Sequence, residues 1–197
     1  MARRREFDED ALLDTTVALF WERGYANTSM SDVAEASGVG NGSIYAAYGS
    51  KSELFLVALR RYCAGRVELV REAMAREGDV VEVVRRFFEA ILDECSQHRP
   101  SWGCLMLTSM ASLGREMPEV AALTHSTIRE MERIVAVRLD GGRGALRPAV
   151  LRDLAATVVL ASQAILQASL LEPEPARLRR FALASVERLA PRLAEAA

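Results

Sequence analysis

The chain has 197 residues, half of them hydrophobic, and a formal net charge of −2 at pH 7. This length suits a large helical body with a small N-terminal unit, and the charge excludes a protein that is basic throughout. With no apolar run of membrane-spanning length and no signal-peptide core, we expect a soluble, cytoplasmic protein. Three cysteines (Cys63, Cys95 and Cys104) without metal-type spacing indicate free thiols in a reducing compartment.

The first predicted helix extends from Asp8 to Arg23, and Gly24 ends it. Its apolar face contains Leu12, Leu13, Val17, Ala18, Phe20 and Trp21. The basic residues 3–5 before it form either a solvated end or an arm that reaches DNA, and we favour the solvated end.

Two short helices joined by a tight turn follow the first helix. Ser29 or Ser31 can cap the first of them, and Asp32 supplies an acidic residue three positions after Ser29. Gly38 permits the left-handed conformation that ends this helix, and Val39 is the apolar residue that the turn buries. The second short helix is expected from Asn41 to about Ala47.

A helix, a glycine turn and a second helix form the helix-turn-helix arrangement of DNA-binding proteins. The residues of this stretch resemble the N-terminal domain of the TetR (tetracycline repressor) family over about a quarter of the chain. The matching positions are Ala34, Gly38, Val39, Gly42, Ser43, Ile44, Tyr45, Tyr48, Ser50, Lys51 and Leu54. The resemblance implies an all-α fold of about nine helices.

The resemblance places the helix that begins at Asn41 in the major groove of DNA. It implies that Gly42 allows close approach of the backbone, that Ser43 meets a phosphate or a base edge, and that Tyr45 contacts a phosphate. Tyr48 is expected to pack inside the unit. Gly40, Asn41, Ala46 and Ala47 depart from the residues common in the family, so readout is expected to depend on Asn41, Ser43 and the alanine methyl groups.

Further phosphate contacts are implied at two helix starts. Thr28 and Ser29 are expected to bind phosphate through hydroxyl and backbone N–H groups, and Lys51, the only lysine, is expected to hold another phosphate. The alternative is that Thr28, Ser29 and Ser50 act only as helix caps, and both roles can coexist.

The charge of the N-terminal segment argues against DNA binding. Residues 1–51 contain five basic and eight acidic side chains, a net of −3. A protein that reads DNA normally presents a basic surface to the phosphates. We therefore expect the acidic groups to face away from the duplex and the binding to be strongly salt-sensitive.

A long helix from Lys51 to about Glu77 is predicted to connect the small unit to the body. The later helices, separated by Gly and Pro breaks, are expected at residues 79–97, 102–113, 118–139, 148–171 and 176–193. Ser101 is expected to cap the helix at 102–113. Residues 140–144 form the most flexible interior loop.

By resemblance, the body holds a small apolar or amphipathic ligand. The candidate ligand-binding residues are Phe87, Phe88, Ile91, Trp102, Met106, Met110, His125, Ile128, Gln163 and Leu166. For each apolar residue the alternative is plain core, and for His125 it is a satisfied polar histidine. No metal site is expected, because His98 is the only other histidine.

Cys104 is predicted to lie at the start of a helix, where thiol pKa values fall and reactivity rises. A redox- or electrophile-sensing role is therefore an alternative to a buried, inert thiol.

The last two helices are predicted to associate with a second copy. The helix from 148 is apolar nearly all round, and small residues there permit close helix packing. A two-fold four-helix interface would cover it, and burial within one chain is the alternative.

These observations predict an all-α, homodimeric, ligand-responsive transcriptional regulator, most simply a repressor released from a near-palindromic operator. The expected domains are residues 1–50, which bind DNA, and residues 51–197, which bind ligand and dimerise. A partner-binding protein without DNA binding is an alternative. An enzyme finds no support, because we identify no catalytic set, and no cofactor is expected.

Overall fold

The computed structural model describes residues 7–97, 102–141, 147–171 and 174–196, and the regular structure within these ranges is helical. Residues 3–5, His98, Ser101 and most of the 140–144 loop lie outside them. The described helices are α1 (Glu9–Arg23), α2 (Met30–Ser37), α3 (Asn41–Tyr48), α4 (Lys51–Ala75), α5 (Val80–Gln97), α6 (Leu105–Leu113), α7 (Pro118–Asp140), α8 (Pro148–Ala168) and α9 (Pro175–Ala196).

Side-chain caps and glycines set the bounds of the N-terminal helices. The Asp8 carboxylate accepts a hydrogen bond from the Ala11 N–H at 3.0 Å, and Gly24 ends α1 with φ 78°. Ser50 caps α4 by accepting from the Glu53 N–H at 3.2 Å. Because these signals are local, the bounds predicted from the sequence agree with the structure to within one residue at most ends.

The start of α6 and the end of α8 were predicted wrongly, and α9 extends to Ala196, three residues past its predicted end. Helix α6 begins at Leu105 rather than Trp102, because Gly103 has φ 65° and the Cys104 N–H donates to Gln167 Oε1 at 2.9 Å. Helix α8 ends at Ala168 rather than Leu171. A contact between residues distant in sequence delays the start of α6, and a turn ends α8 early.

The chain divides into two compact units. The first extends through Ala64 and includes Leu105–Thr124. Its core is formed by buried side chains of α1 to α4, namely Leu12, Leu13, Leu19, Met30, Val33, Ile44, Tyr48 and Leu54. Val39 packs against this cluster, as predicted for the turn.

The second unit contains Gly65–Cys104 and the chain from His125 onward. Within it, α5 packs against α8 and α9, and α8 packs against α9. Arg66, 3% exposed, forms an ion pair there with Glu94 of α5. Helix α4 begins in the first unit and ends in the second.

Helix α8 corrects the expectation that no apolar run is long enough to span a membrane. An 18-residue stretch of this 21-residue helix has a mean hydropathy of 1.6 and meets the length and composition of a span. Many of its apolar side chains, including Val158, Val159 and Ile165, are fully buried against neighbouring helices. This burial is typical of the core helix of a helical bundle.

Candidate nucleic-acid interface

The turn between α2 and α3 has the geometry predicted for it. Gly38 adopts φ 70° and ψ 7°, the left-handed conformation that ends a helix with little strain when the residue is glycine. Ser29, rather than Ser31, caps α2 and forms a reciprocal capping box with Asp32. The turn therefore fixes the direction in which α3 leaves α2.

Helix α3 has one buried and one exposed side. Ile44 and Tyr48 are buried in the core cluster, and the Tyr48 hydroxyl donates to Glu9 Oε1 at 3.0 Å. The exposed residues are Asn41, Gly42, Ser43, Tyr45 and Ala46, and Tyr45 is 48% exposed. The exposed side is polar or small and carries no charged residue, so it can approach a nucleic acid closely.

The first turn of α3 has no side-chain cap, and of its amides the Ser43 N–H donates to the Gly40 carbonyl at 2.9 Å. Gly40 occupies the N-cap position and supplies no side-chain hydrogen bond to them. The amides of a first helical turn lack partners within the helix and attract anions. Gly42 has no heavy atom within 4 Å of the place where a Cβ would stand, so this side of the helix start is open.

The start of α2 differs, because the Asp32 carboxylate already accepts hydrogen bonds from the donors of Ser29. One carboxylate oxygen of Asp32 accepts from both the N–H and the hydroxyl of Ser29, at 2.6 Å each. These hydrogen bonds lower the pKa of Asp32, and the charges of Arg23 and Lys51 add to the effect. An incoming phosphate must therefore compete with a carboxylate for Ser29.

Thr28 requires a correction. Its side chain is 1% exposed, and its hydroxyl donates to the Gly24 carbonyl at 2.9 Å, with a longer contact of 3.4 Å to the Leu19 carbonyl. The expectation that this hydroxyl binds phosphate is wrong for this conformation, because it joins the end of α1 to the start of α2.

Lys51 lies at the start of α4, as predicted, and has an aromatic neighbour. Its Nζ is 4.3 Å from the centroid of the Tyr25 ring, a cation–π distance. The Tyr25 ring packs against Phe20 and Phe55, at centroid distances of 6.0 and 4.9 Å. The only lysine of the chain is therefore held by a packed aromatic ring.

The acidic excess of residues 1–51 is partly neutralised on one side of the first unit. Arg61 of α4 bridges Asp10 and Asp14 of α1, at 2.7 and 2.6 Å. These two carboxylates raise the pKa of Arg61 above its usual value. Since Asp32 is engaged with Ser29, several acids of this segment are committed to protein contacts and α3 itself adds none.

Most of the predicted ligand-binding residues are buried or partly buried. Phe87, Phe88, Ile91, Met106, Gln163 and Leu166 are buried, and Trp102, Met110 and Ile128 are partly buried. His125 is exposed on α7, and its ligand contact stays a prediction. Among the residues that the structure describes, we find no group of three His, Cys, Asp or Glu side chains placed to hold a metal ion.

Cys104 is buried and lies directly before the first residue of α6. It has no accessible surface, and its Sγ donates to Gln163 Oε1 at 3.4 Å. Cys95 is the only partly exposed cysteine of the three. Burial raises the pKa of the Cys95 thiol, and a hydrogen bond to Ser169 opposes this only in part.

Sequence reasoning missed Tyr25 as a neighbour of Lys51 and Asp32 as a competitor for Ser29. A tyrosine directly after the Gly24 helix stop is a signal for the first, since it must fold back onto the small unit. For the second, the capping box itself is the signal, because its acid takes the donors that an anion would use.

The glycine turn, the two short helices and the uncharged exposed side of α3 define the class of helix-turn-helix transcriptional regulators. The family described as "Bacterial regulatory proteins, tetR family" matches residues 12–58. This match, over about a quarter of the chain, supports a TetR family regulator, as the resemblance in the sequence predicted.

Similar proteins agree with this placement. The chain is 29% identical over 132 residues to the uncharacterized HTH-type transcriptional regulator YezE of Bacillus subtilis (strain 168), over 67% of this chain and 68% of YezE. It is 32% identical over 133 residues to the HTH-type transcriptional repressor ComR of Escherichia coli (strain K12), over 66% of this chain and 63% of ComR, slightly under two thirds of that protein.

A solved structure shows the same fold over nearly the whole chain. It contains a cysteine mutant of the TetR family transcriptional regulator CifR complexed with a 26-bp double-strand operator DNA. The TM-score is 0.74 at 22% identity, with 94% of this chain and 98% of that chain covered.

Proposed function

We propose that this protein is a homodimeric transcriptional repressor that binds a near-palindromic operator through α3 and leaves it when a small molecule binds the body. The observation that carries the proposal is the exposed, uncharged side of α3, directly after the Gly38 turn. Residues 1–50 would bind DNA, and residues 51–197 would bind the ligand and the second copy. Repression is the activity named for ComR, and operator binding is named for CifR.

In this proposal α3 enters the major groove. Asn41 and Ser43 would meet base edges, and the Ala46 methyl would touch thymine methyl groups. Tyr45 would donate its hydroxyl to a phosphate, and Gly42 would let the backbone approach closely. Phosphate contacts set position and base contacts set sequence preference, so these residues should behave differently when changed.

Ser29 and Lys51 would add phosphate contacts at the starts of α2 and α4. The Ser29 contact requires displacement or sharing of Asp32. Thr28 has no direct role in this proposal, because its hydroxyl is buried.

Self-association is supported by apolar side chains that remain exposed on α8, on α9 and between them. Leu160 is 57% exposed, Leu171 86% and Phe181 46%. A shallow groove of about 300 Å³ lies beside them, lined by Ala168, Leu171, Arg177, Leu178 and Phe181. A second copy would cover these side chains, and two α3 helices would then reach successive major grooves.

The proposed ligand is small and apolar or amphipathic. Phe87, Phe88 and Ile91 form an apolar face on α5, and Gln163 of α8 is a buried amide that can orient a polar group. For the ligand to release the protein from DNA, it must bind the DNA-free conformation of the protein more tightly than the DNA-bound conformation.

We expect the protein to act in the cytoplasm, without a membrane. The test of the proposed DNA binding is a gel shift with the DNA that flanks the protein's own coding region. Specific retardation that weakens with salt supports a regulator, and a two-fold mass in sedimentation supports the dimer. Absence of specific retardation at low salt would favour a partner-binding protein that does not read DNA.

A further inference from the structure

We infer that Tyr25 is a positioning residue that holds the Lys51 ammonium group ready to bind a DNA phosphate. The inference rests on the proposed function, since it concerns the contact that Lys51 makes with DNA. It assigns to Tyr25 a role beyond its packing in the N-terminal unit.

The geometry of the pair carries the inference. Lys51 Nζ stands 4.3 Å from the Tyr25 ring centroid, within the distance at which an ammonium group is attracted by the electron-rich face of an aromatic ring. An ammonium group has three N–H donors. The contact with the ring face leaves other donors free to point at an anion.

The ring is itself fixed in place. Tyr25 stacks on Phe20, with an interplanar angle of 22°, and lies tilted against Phe55. Phe20 and Phe55 have 1% and 0% exposure, so the support under the ring is rigid core. A flexible four-carbon side chain is thereby tied to a fixed point on the surface.

Positioning matters because an unrestrained lysine loses conformational entropy when it binds. Ordering a flexible side chain at an interface lowers affinity by roughly two- to tenfold, and a side chain already held in place avoids most of this loss. Hydrogen bonds from Ser29 and, to a smaller degree, the charges of Arg23 and Lys51 lower the pKa of Asp32 at the start of α2.

The first test uses the fact that Lys51 is the only lysine in the chain. Reductive ¹³C-methylation labels its amine, and the NMR signal is identified by its absence in Lys51→Met. We expect an upfield ring-current shift of the methyl signal in the free protein, retained in Tyr25→Phe and absent in Tyr25→Leu. An unshifted signal in the folded wild-type protein would overturn the inference without any DNA measurement.

The second test measures affinity for a random-sequence duplex at low salt, because phosphate contacts do not depend on sequence. We expect Tyr25→Leu to weaken binding roughly two- to tenfold and Tyr25→Phe to leave it nearly unchanged. Lys51→Met should reduce the magnitude of the slope of log K against log salt by about 0.9 for each phosphate that Lys51 neutralises in the wild-type complex.

A double-variant cycle separates positioning from packing. In the Lys51→Met background, Tyr25→Leu should have no further effect on affinity, since the cation that it positions is absent. An equal loss in both backgrounds would show that Tyr25 acts only through packing and would contradict the inference, as would tighter binding by Tyr25→Leu. Thermal unfolding of each variant verifies that it is folded.

These tests distinguish the two proposals. Binding to the random duplex with the expected cycle, but no specific retardation on flanking DNA, would contradict the operator-reading function and leave the role of Tyr25 supported. A wild-type protein that binds no duplex at all would overturn both.

Discussion

One carboxylate oxygen of Asp32 accepts hydrogen bonds from both the N–H and the hydroxyl of Ser29, at 2.6 Å each, while the Ser29 hydroxyl accepts from the Asp32 N–H at 3.1 Å. The start of α2 thus carries its own anion. This reciprocal cap stabilises the first helix of the helix-turn-helix, and it also places a negative charge where the proposed interface meets phosphate.

The cap makes stability depend on pH. Hydrogen bonds from Ser29 lower the folded-state pKa of Asp32, so its contribution is present above the unfolded pKa, near 4, and is lost as pH falls through the folded value. We expect the difference in unfolding free energy between wild type and Asp32→Asn to be constant above about pH 5 and to shrink below about pH 4. A difference that grows on acidification would contradict this assignment.

Removal of the capping hydroxyl should destabilise the protein. Ser29→Ala is expected to cost about 1 kcal/mol, which corresponds to a decrease of about 2–4 °C in Tm for a chain of this size. Ser31→Ala is the matched control, since Ser31 is exposed inside α2 and is not its cap. Equal effects from the two substitutions would refute the choice of Ser29 as the cap.

The Asp32 charge is also expected to weaken DNA binding. Asp32→Asn keeps an acceptor for Ser29 but removes a negative charge beside the proposed phosphate path, so affinity for a duplex at low salt should rise roughly two- to fivefold. Glu35→Gln makes the same change of charge further along α2 and should have a smaller effect. Unchanged affinity in Asp32→Asn would place the start of α2 outside the interface.

Substitutions of two exposed residues of α3 should distinguish a phosphate contact, which positions the protein on DNA, from a base contact, which reads the sequence. Tyr45→Phe removes a proposed phosphate contact and should weaken binding by a similar factor on every duplex. Asn41→Ala removes a proposed base contact, and we expect a loss of about 1–3 kcal/mol on the operator with little change on random DNA. Binding measured by fluorescence anisotropy on both duplexes checks the pair, and the reverse pattern would exchange the two roles.

How far the sequence predicted this site depends on the distance over which each interaction acts. Gly38 was predicted correctly and Ser29 was one of two predicted caps, because turn and cap signals involve neighbouring residues. Burial of Thr28 was missed because its hydroxyl turns back to the end of α1. The cation–π pair joins residues 26 positions apart (Tyr25 and Lys51), a contact that no local pattern reveals.

The body shows the same limit. The start of α6 was predicted three residues early because the Cys104 N–H is bound by Gln167, 63 positions away. The exposure of His125 follows from the rotation of α7 about its axis, which the composition of its neighbours does not determine. Phe87, Phe88 and Ile91 of α5, the candidates for ligand wall or plain core, are all buried because their spacing follows the helical period.

The three cysteines should react with a thiol reagent in an order set by burial. Cys95 is partly exposed, whereas Cys63 and Cys104 are buried, so we expect Cys95 to be labelled first in the native protein. Because burial raises the pKa of Cys95, its labelling should still speed up as pH rises above about 8. Faster labelling of Cys104 would revive the sensor hypothesis.

The proposal for α3 is tested most directly by hydroxyl-radical footprinting of the DNA that flanks the coding region, with wild type and the Asn41→Ala/Tyr45→Phe double variant. We predict two protected patches related by a dyad, with centres about one helical turn (10–10.5 bp) or a multiple apart, and their loss in the double variant. A footprint that the double variant leaves unchanged would contradict the claim that the exposed side of α3 reads the operator.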